Sequence, residues 1–223
     1  MKKLSCATAV CVLVLWSVVP KAFGADPIVL ERVSGRLDYQ RTVTGNRVPV
    51  TGQLTIHPHG FAYTQARSMA AVDLPDSSVV SIGASSQVGL ESFDRTTPIA
   101  SATIRIDAGA IHFSVRHPAG AHSNYTFITP VSEIAIRGTE GVIVTRGDET
   151  IVACVHGTNN DTLVVYGRNE KMYVPVGMTV RIRGRLGGAS TMSMRRGVAG
   201  PEFDQFKTII AHNHAMRMRG LQK

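Results

Sequence analysis

Cysteine is scarce in this chain of 223 residues, and its scarcity excludes a fold held together by disulfides. Cys6 and Cys11 lie in an N-terminal segment that we expect to be removed, so Cys154 is the one thiol of the mature chain. A lone thiol forms no internal disulfide. A mature chain of about 200 residues buries an adequate core without such bonds. We therefore expect one domain, or one domain with an appendage.

Long apolar runs are missing beyond the N-terminal segment, which argues against membrane-spanning helices in the mature protein. At the N-terminus, a positively charged start precedes an apolar run over residues 7–19, and Ala22 and Gly24 provide the small residues of a cleavage site. This pattern is typical of a secretory signal peptide. We predict a signal peptide over residues 1–24 and hence a periplasmic or secreted protein. An uncleaved membrane anchor is the alternative.

Local catalytic signatures are missing as well. The sequence has no G-x-S-x-G, no H-E-x-x-H, no paired C-x-x-C and no phosphate-binding Gly-Lys-Ser/Thr loop. We predict that the protein is not an enzyme and has no catalytic residues, no cofactor and no metal site. The best candidate for the alternative is Cys154 with His156, because residues two apart on a strand share a face and an imidazole can lower the pKa of a thiol. The apolar neighbours of Cys154 favour a buried structural thiol instead.

Two histidine pairs are the candidates for metal binding. His57 with His59, and His212 with His214, would suit copper in an exported protein. Neither pair has further ligands at a recognisable spacing. We expect surface histidines at both places.

Asp73 and Asp76 are candidates for paired carboxylates in acid–base chemistry. Leu74-Pro75 separates them and two serines follow, which is typical of a turn that leads into a strand. Aspartate side chains bind backbone amides in such turns. We therefore expect both residues to serve the turn.

Positive charge is concentrated at the C-terminus. Residues 181–223 hold nine Lys or Arg against two acids, whereas residues 25–180 are close to neutral. A basic tail favours anionic partners such as phosphorylated glycolipids, acidic glycans or nucleic acid, and would support a peripheral contact. We expect no specific binding of nucleic acid, and a solvated, partly disordered C-terminus is the simpler interpretation.

Apolar residues alternate with a period of two from Ile28 to Ile182, which is typical of β-strands. We predict strands in "ATIRIDAGAIHFSV", with a turn at Asp107-Ala108-Gly109, and in "NYTFITPVSEIAI", with a break at Thr129-Pro130. Further short strands are predicted in "ETIVACVHG", "DTLVVYG" and "KMYVPVGMTVRI". Short strands with turn signals about every 8–12 residues predict an all-β fold of antiparallel strands, as a sandwich, a barrel or a solenoid.

The pattern changes after Ile182. Residues 183–200 are rich in Gly, Ser and Arg without a period, which predicts a flexible basic linker. Residues 201–223 place four apolar side chains on one helical face: Phe203, Phe206, Ile209 and Ile210. This pattern begins just after Pro201, and it predicts a short C-terminal amphipathic helix. We expect the helix to pack on the β body; docking to a membrane surface or a partner is the alternative.

Several motifs in order resemble the FecR-type periplasmic domain family. They are an early turn at Asp76-Ser77-Ser78, a glycine-containing segment at 106–113, a "T-P…G-T" segment from Thr129 to Thr139, and a late strand from Gly177 to Val180. The resemblance covers residues 72–182, and an N-terminal β extension over residues 25–71 precedes it. Two departures are that Gly141 stands where the family commonly has an aromatic residue, and that Pro75-Asp76-Ser77 lacks the usual glycine of the early turn.

The resemblance implies an exported, non-enzymatic binding or sensing module. The family's signalling members are membrane regulators with a cytoplasmic segment that engages a sigma factor, a transmembrane helix and this domain outside. Here a signal peptide takes the place of those segments, so we expect a stand-alone member. Its expected function is a binding or scaffold module of the bacterial cell envelope that contacts a protein or an envelope glycan. The alternative is an accessory sensor that works with a separate membrane regulator.

The segment "IAIRGTEGVIV" contains the family's Gly-Thr signature between two predicted strands. We expect Arg137 and Glu140 to pair across the bend at the solvent edge, which would contribute about 1 kcal/mol at most. Gly138 and Gly141 supply backbone freedom for a bend or a bulge. Gly138→Val should therefore harm folding far more than Glu140→Ala.

Overall fold

The computed structural model describes most of the chain beyond its first 26 residues. The described residues are 27–95, 99–117, 123–157, 162–166, 170–184, 188–198 and 200–218. The predicted signal peptide lies outside them, as does the end of the tail. Among the described residues, no helix combines the length and the apolar character that a membrane span requires.

Seventeen strands account for most of the described chain, as the period-two pattern predicts. Their bounds are Ile28–Ser34 (β1), Leu37–Gln40 (β2), Arg47–Val50 (β3), Gln53–Ile56 (β4), Gly60–Thr64 (β5), Met69–Asp73 (β6), Val79–Ile82 (β7), Gln87–Asp94 (β8), Ser101–Ser114 (β9), Asn124–Ile128 (β10), Glu133–Arg137 (β11), Glu140–Arg146 (β12), Glu149–His156 (β13), Thr162–Tyr166 (β14), Lys171–Tyr173 (β15), Met178–Gly184 (β16) and Ser190–Arg196 (β17). A 3-10 turn, Pro201–Phe206, and helix α1, Lys207–Met218, follow.

The strands form two layers that share the long strand β9. In layer A the order is β4-β1-β6-β7-β9-β12-β13-β16-β17. In layer B the order is β3-β2-β5-β8-β9-β10-β11-β14-β15. All neighbours are antiparallel except β9 and β10, which are parallel. The all-β fold is therefore a two-layered sandwich whose sheet does not close into a barrel.

Apolar side chains from both layers meet in one core between them. The predicted inward residues of β10 and β11 are fully buried there: Tyr125, Phe127, Ile134 and Ile136. The rings of Phe113 and Phe127 pack with their centroids 5.2 Å apart. Burial of each such side chain contributes about 1.5–3 kcal/mol, so this core is the main source of stability.

Strand β9 corrects one prediction, because Asp107-Ala108-Gly109 is not a hairpin turn. The first half of β9 pairs with β8 and β10 in layer B, and its second half pairs with β7 and β12 in layer A. Gly109 has a φ of 95° where the strand passes between the layers. A glycine inside an alternating run is compatible with a turn and with a bend in one continuous strand, so the periodicity could not distinguish the two.

Two further corrections concern the end of the chain. The segment "KMYVPVGMTVRI" is divided between β15 in layer B and β16 in layer A. The predicted flexible linker over 183–200 is wrong for residues 190–196, because β17 pairs with β16 along its whole length. Met192 of β17 packs against the core. Serines and arginines dilute the apolar alternation of this strand, which is why its composition resembles a linker.

The C-terminal helical segment packs on the outer face of layer A, as predicted. Phe203 and Phe206 are buried there, and Ile209 and Ile210 pack at the margin of the same cluster. The layer A side chains beneath them are Ala110, Val142, Val144, Ile151 and Ala153. The chain's own C-terminal segment therefore covers the part of the outer face of layer A that β9, β12 and β13 form.

Candidate functional site

Cys154 and His156 do not form the pair that a thiol nucleophile would need. Cys154 is 1% exposed in the main core, whereas His156 is exposed. The β12–β13 ladder pairs Cys154 with Gly141 and His156 with Glu140, so the residue between, Val155, is the extra residue of a β-bulge. The bulge interrupts the alternation that would have placed both side chains on one face. Cys154 is thus a structural thiol.

Asp76 is a turn residue, as predicted. Its carboxylate accepts hydrogen bonds from the Ser78 backbone N–H at 3.0 Å and from the Ser78 hydroxyl at 2.9 Å. It also accepts one from the Tyr125 hydroxyl at 2.7 Å. Burial raises the pKa of Tyr125, and the Asp76 charge raises it further. Asp73 is exposed at the end of β6, so the two aspartates do not share a site.

The two histidine pairs lie on the surface. His57 and His59 are exposed in the turn before β5, and His212 and His214 are exposed on α1. Within the part of the chain that the structure describes, no three His, Cys, Asp or Glu side chains group together as a possible metal site. His59 has a φ of 72°, an uncommon backbone conformation for a residue other than glycine.

Glu140 is buried, and this corrects the prediction of a solvent-edge pair with Arg137. The Glu140 carboxylate is 2% exposed and lies 2.7 Å from His112 Nε2. It also accepts a hydrogen bond from Asn213 Nδ2 at 3.1 Å. Arg137 is exposed at the end of β11 in layer B, whereas Glu140 begins β12 in layer A. Gly138, with a φ of 83°, provides the expected bend between the two layers.

The cluster of His112, Glu140 and Asn213 fastens α1 to layer A. The His112 ring also packs against Phe206, with the ring centroids 6.0 Å apart. Nearby, the Gln205 side-chain oxygen accepts a hydrogen bond of 2.9 Å from a backbone N–H in the turn after β7. The sequence analysis missed this cluster, because its members lie far apart in the chain and meet only when the layer order is known.

The outer face of layer B carries an open cleft, and no element of the described chain packs across it. The cleft has a volume of about 410 Å³. Its lining residues come from β5, β8, β9 and the loops beside them: Val43, His59, Phe61, Tyr63, Gln87, Glu91, Arg105 and Asp107. This cleft is the candidate functional site, and sequence reasoning did not find it.

Two β-bulges in the β8–β9 ladder shape the cleft. Asp107 is the extra residue opposite Gln87 and Val88, and Glu91 is the extra residue of a second bulge further along β8. Bulges occur often beside functional sites, because they redirect a side chain without breaking the sheet. Both redirected side chains here are carboxylates that line the cleft.

The polar side chains of the cleft are held by one another. Gln87 Nε2 donates a hydrogen bond to Asp107 Oδ2 at 2.8 Å, and Arg105 Nε pairs with Glu91 Oε1 at 2.6 Å. Burial raises the pKa of Asp107, although Arg105 and the Gln87 hydrogen bond oppose the rise. The arrangement presents fixed donors and acceptors with little net charge.

Two aromatic rings form the rest of the cleft wall. A Cβ atom at Gly89 would come within 2.7 Å of the Phe61 ring, so the glycine lets that half-buried ring lie close to β8. The Tyr63 hydroxyl donates to Gln40 Oε1 at 2.8 Å, and the Arg47 guanidinium lies 3.5 Å from the centre of the Tyr63 ring. Tyr63 is thereby engaged on its face and at its hydroxyl, and the half-buried Phe61 ring packs beside it with the ring centroids 6.5 Å apart.

Comparisons with known proteins give one family and one recurring fold. Residues 62–158 match the family model described as FecR protein. This match begins earlier and ends earlier than the resemblance seen over residues 72–182. The comparison with curated proteins finds no match.

Among solved structures, the chain is similar to a protein of Parabacteroides distasonis ATCC 8503 that is described as a candidate anti-sigma factor. The TM-score is 0.50 at 13% identity, over 67% of this chain and 62% of that one. A second structure with the same description gives a TM-score of 0.49 at 14% identity over the same shares. The chain thus spans less than two thirds of the length of these structures, and the first likeness shows a shared fold.

Proposed function

We propose, from the match of residues 62–158 to the FecR family model, that this chain is an exported, non-enzymatic binding module of the bacterial cell envelope. It contacts a protein partner or an envelope glycan through its β domain. The contact lies at the cleft on the outer face of layer B.

The difference between the two outer faces carries this proposal. On layer A, the C-terminal segment buries Phe203 and Phe206 and places Asn213 on the buried Glu140. On layer B, the cleft around Phe61 stays open to solvent. A partner can therefore reach the layer B cleft without displacing any element that the structure describes.

The placement of the candidate nucleophile supports binding rather than catalysis. Cys154 is packed in the main core. Because of the bulge at Val155, the side chains of Cys154 and His156 lie on different faces of the sheet. In the cleft, Glu91 and Asp107 are already engaged by Arg105 and Gln87. Groups held in such pairs position a ligand well.

Site-specific cross-linking in the living cell tests the proposal. A photoreactive amino acid at Val43, which is 76% exposed and lines the cleft, should form adducts with an envelope component. The matched control is the same amino acid at Val33, which is 54% exposed on β1 of layer A. Equal yields at the two positions, or no adduct at Val43, would contradict the proposed binding face.

Signalling is a second candidate function, and the FecR match favours it. In this form the protein is an accessory sensor that works with a separate membrane regulator. Deletion of its gene should then change the transcription of an envelope or iron-uptake regulon under metal limitation. An unchanged transcriptome would eliminate this candidate and leave the binding module intact.

A further inference from the structure

We propose that the cleft on the outer face of layer B binds a neutral glycan, with Phe61 as the ring against which one sugar stacks. This inference rests on the proposed function and names the ligand class of the same site. It is carried by the cleft's paired polar groups, its balanced charge, its half-buried Phe61 ring and its fixed geometry.

The polar side chains of the cleft are suited to bind adjacent hydroxyl groups of a sugar. Glu91, Asp107, Gln87 and Arg105 all end in planar groups with two neighbouring hydrogen-bonding atoms. Planar groups of this kind bind two ligand atoms at once, which gives geometric selectivity. Neighbouring hydroxyls on a sugar ring offer both donors and acceptors at a matching spacing.

The charges of the cleft favour a neutral ligand over an ion. Glu91 is paired with Arg105 at 2.6 Å, and Asp107 is bonded to Gln87 and lies near the same arginine. The Arg47 guanidinium is placed over the Tyr63 ring at the edge of the cleft. A strongly anionic ligand would meet two carboxylates, and a cationic ligand would compete with Arg105, which already pairs with Glu91 and lies near Asp107.

Phe61 provides the apolar surface that a sugar needs. The ring is half-buried, and Gly89 lets one of its sides lie close to β8. The face of an aromatic ring carries partial negative charge, which attracts the polarised C–H groups of a sugar. Tyr63 is the second ring, but Arg47 already lies over its face.

The cleft is already formed in the absence of a ligand, and such preorganisation reduces the entropy cost of binding. Two bulges fix Glu91 and Asp107, and the left-handed backbone at His59 fixes the edge of the cleft. Strained or irregular backbone of this kind often accompanies binding sites. The volume of about 410 Å³ lies within the range of about 300–1,000 Å³ that small-ligand sites occupy.

Calorimetric titration of the mature chain with neutral trisaccharides tests the inference. The probes are chitotriose and maltotriose, with trigalacturonate as the anionic comparison. We expect at least one neutral trisaccharide to bind, and Phe61→Ala to weaken that binding about tenfold, equal to about 1.4 kcal/mol. Glu91→Gln, which keeps the shape of the side chain, should weaken it as well.

Tyr173→Ala is the matched control, because Tyr173 is an exposed aromatic residue on β15 of the same layer. This variant should bind the trisaccharide as the unmodified chain does, and thermal melts establish that all variants fold. Failure of both neutral probes at about 10 mM, tighter binding of trigalacturonate, or equal loss in the Tyr173 variant would overturn the inference.

The cross-linking and titration experiments together distinguish a failure of the glycan inference from a failure of the proposed function. Cross-linking from Val43 to an envelope protein, without binding of a neutral trisaccharide, would keep the binding face and overturn the glycan. Binding of a trisaccharide that Phe61→Ala leaves unchanged would place the glycan elsewhere and overturn the site.

Discussion

At the scale of single residues, Gly141 shows how a neighbouring strand supplies a side chain. Gly141 lies opposite Phe113 of β9, and a Cβ atom at the glycine would come within 2.6 Å of the Phe113 ring. The family commonly has an aromatic residue at this position of β12. Here the Phe113 ring of β9 lies in the space beside Gly141.

Gly141→Ala should destabilise the protein by about 1–3 kcal/mol, because the added methyl group would clash with the Ala153 backbone carbonyl oxygen and with the Phe113 ring. Urea denaturation of the protein measures the effect. Gly52→Ala is the matched control, since no atom lies within 4 Å of a Cβ at that position. Equal midpoints for the two variants would contradict the packing described for Gly141.

Ser77 explains the second departure from the family pattern. Its φ of 67° lies in the left-handed region, where glycine is the least strained residue. The turn is retained because Asp76 bonds both the backbone N–H and the hydroxyl of Ser78. The side-chain bonds offset a backbone strain that glycine would avoid.

At the scale of elements, the attachment of the C-terminal segment depends on Glu140. Removal of this carboxylate leaves the buried His112 and the half-buried Asn213 without their shared acceptor, and an unmatched buried polar group costs about 1–3 kcal/mol. The expectation that Glu140→Ala is mild beside Gly138→Val therefore has to be revised.

Glu140→Ala should lower the free energy of unfolding by about 3 kcal/mol, through the lost bonds and the cavity together. Arg137→Ala, at the exposed end of β11, is the control and should change stability by less than about 0.5 kcal/mol. Chemical denaturation of both variants measures the difference. A small effect at Glu140, comparable to that at Arg137, would refute the buried cluster.

The pairing of β13 with β16 in layer A gives a pH-dependent prediction. Glu149 bonds Arg181 and Arg183 at 2.7 Å each. Burial opposes its ionisation, but the bonds from Arg183 and Arg181 outweigh it and lower the Glu149 pKa below its ordinary value of 4.5. A lowered pKa stabilises the fold above pH 4.5, and this contribution disappears as the pH falls through the folded-state value.

Glu149→Gln should therefore be less stable than the unmodified chain at neutral pH, by about 1 kcal/mol at most because the arginines are exposed. The difference should shrink as the pH is lowered toward about 3. Thermal melts across this range measure it. A difference that stays constant from neutral to acidic pH would show that Glu149 stabilises the fold in another way.

At the scale of the whole molecule, the sequence predicted the strands better than their arrangement. The period of two placed Ile134 and Ile136 inward, and the helical pattern placed Phe203 and Phe206 on the β body. The layer of each strand depends on contacts between distant segments, which local periodicity does not contain. For this reason the sequence predicted two strands and a turn where the structure has the single long strand β9.

The candidate site was hidden for the same reason. Asp107 and Glu91 are cleft residues only because each is the extra residue of a bulge, and a bulge depends on the register between two strands. Glu140 looked exposed because its partners His112 and Asn213 come from distant parts of the chain. Local patterns identify strands and turns, whereas register and layer order create the site.

Carboxyl footprinting tests the central claim, that the outer face of layer B makes the contact while the C-terminal segment covers layer A. Carbodiimide labelling followed by mass spectrometry compares the purified protein with the protein in isolated envelopes. Glu91, whose side chain is 30% exposed in the cleft, should lose its label in envelopes. Asp204, whose side chain is 54% exposed in the 3-10 turn before α1, should keep it. Protection of Asp204 with unchanged labelling of Glu91 would contradict the account.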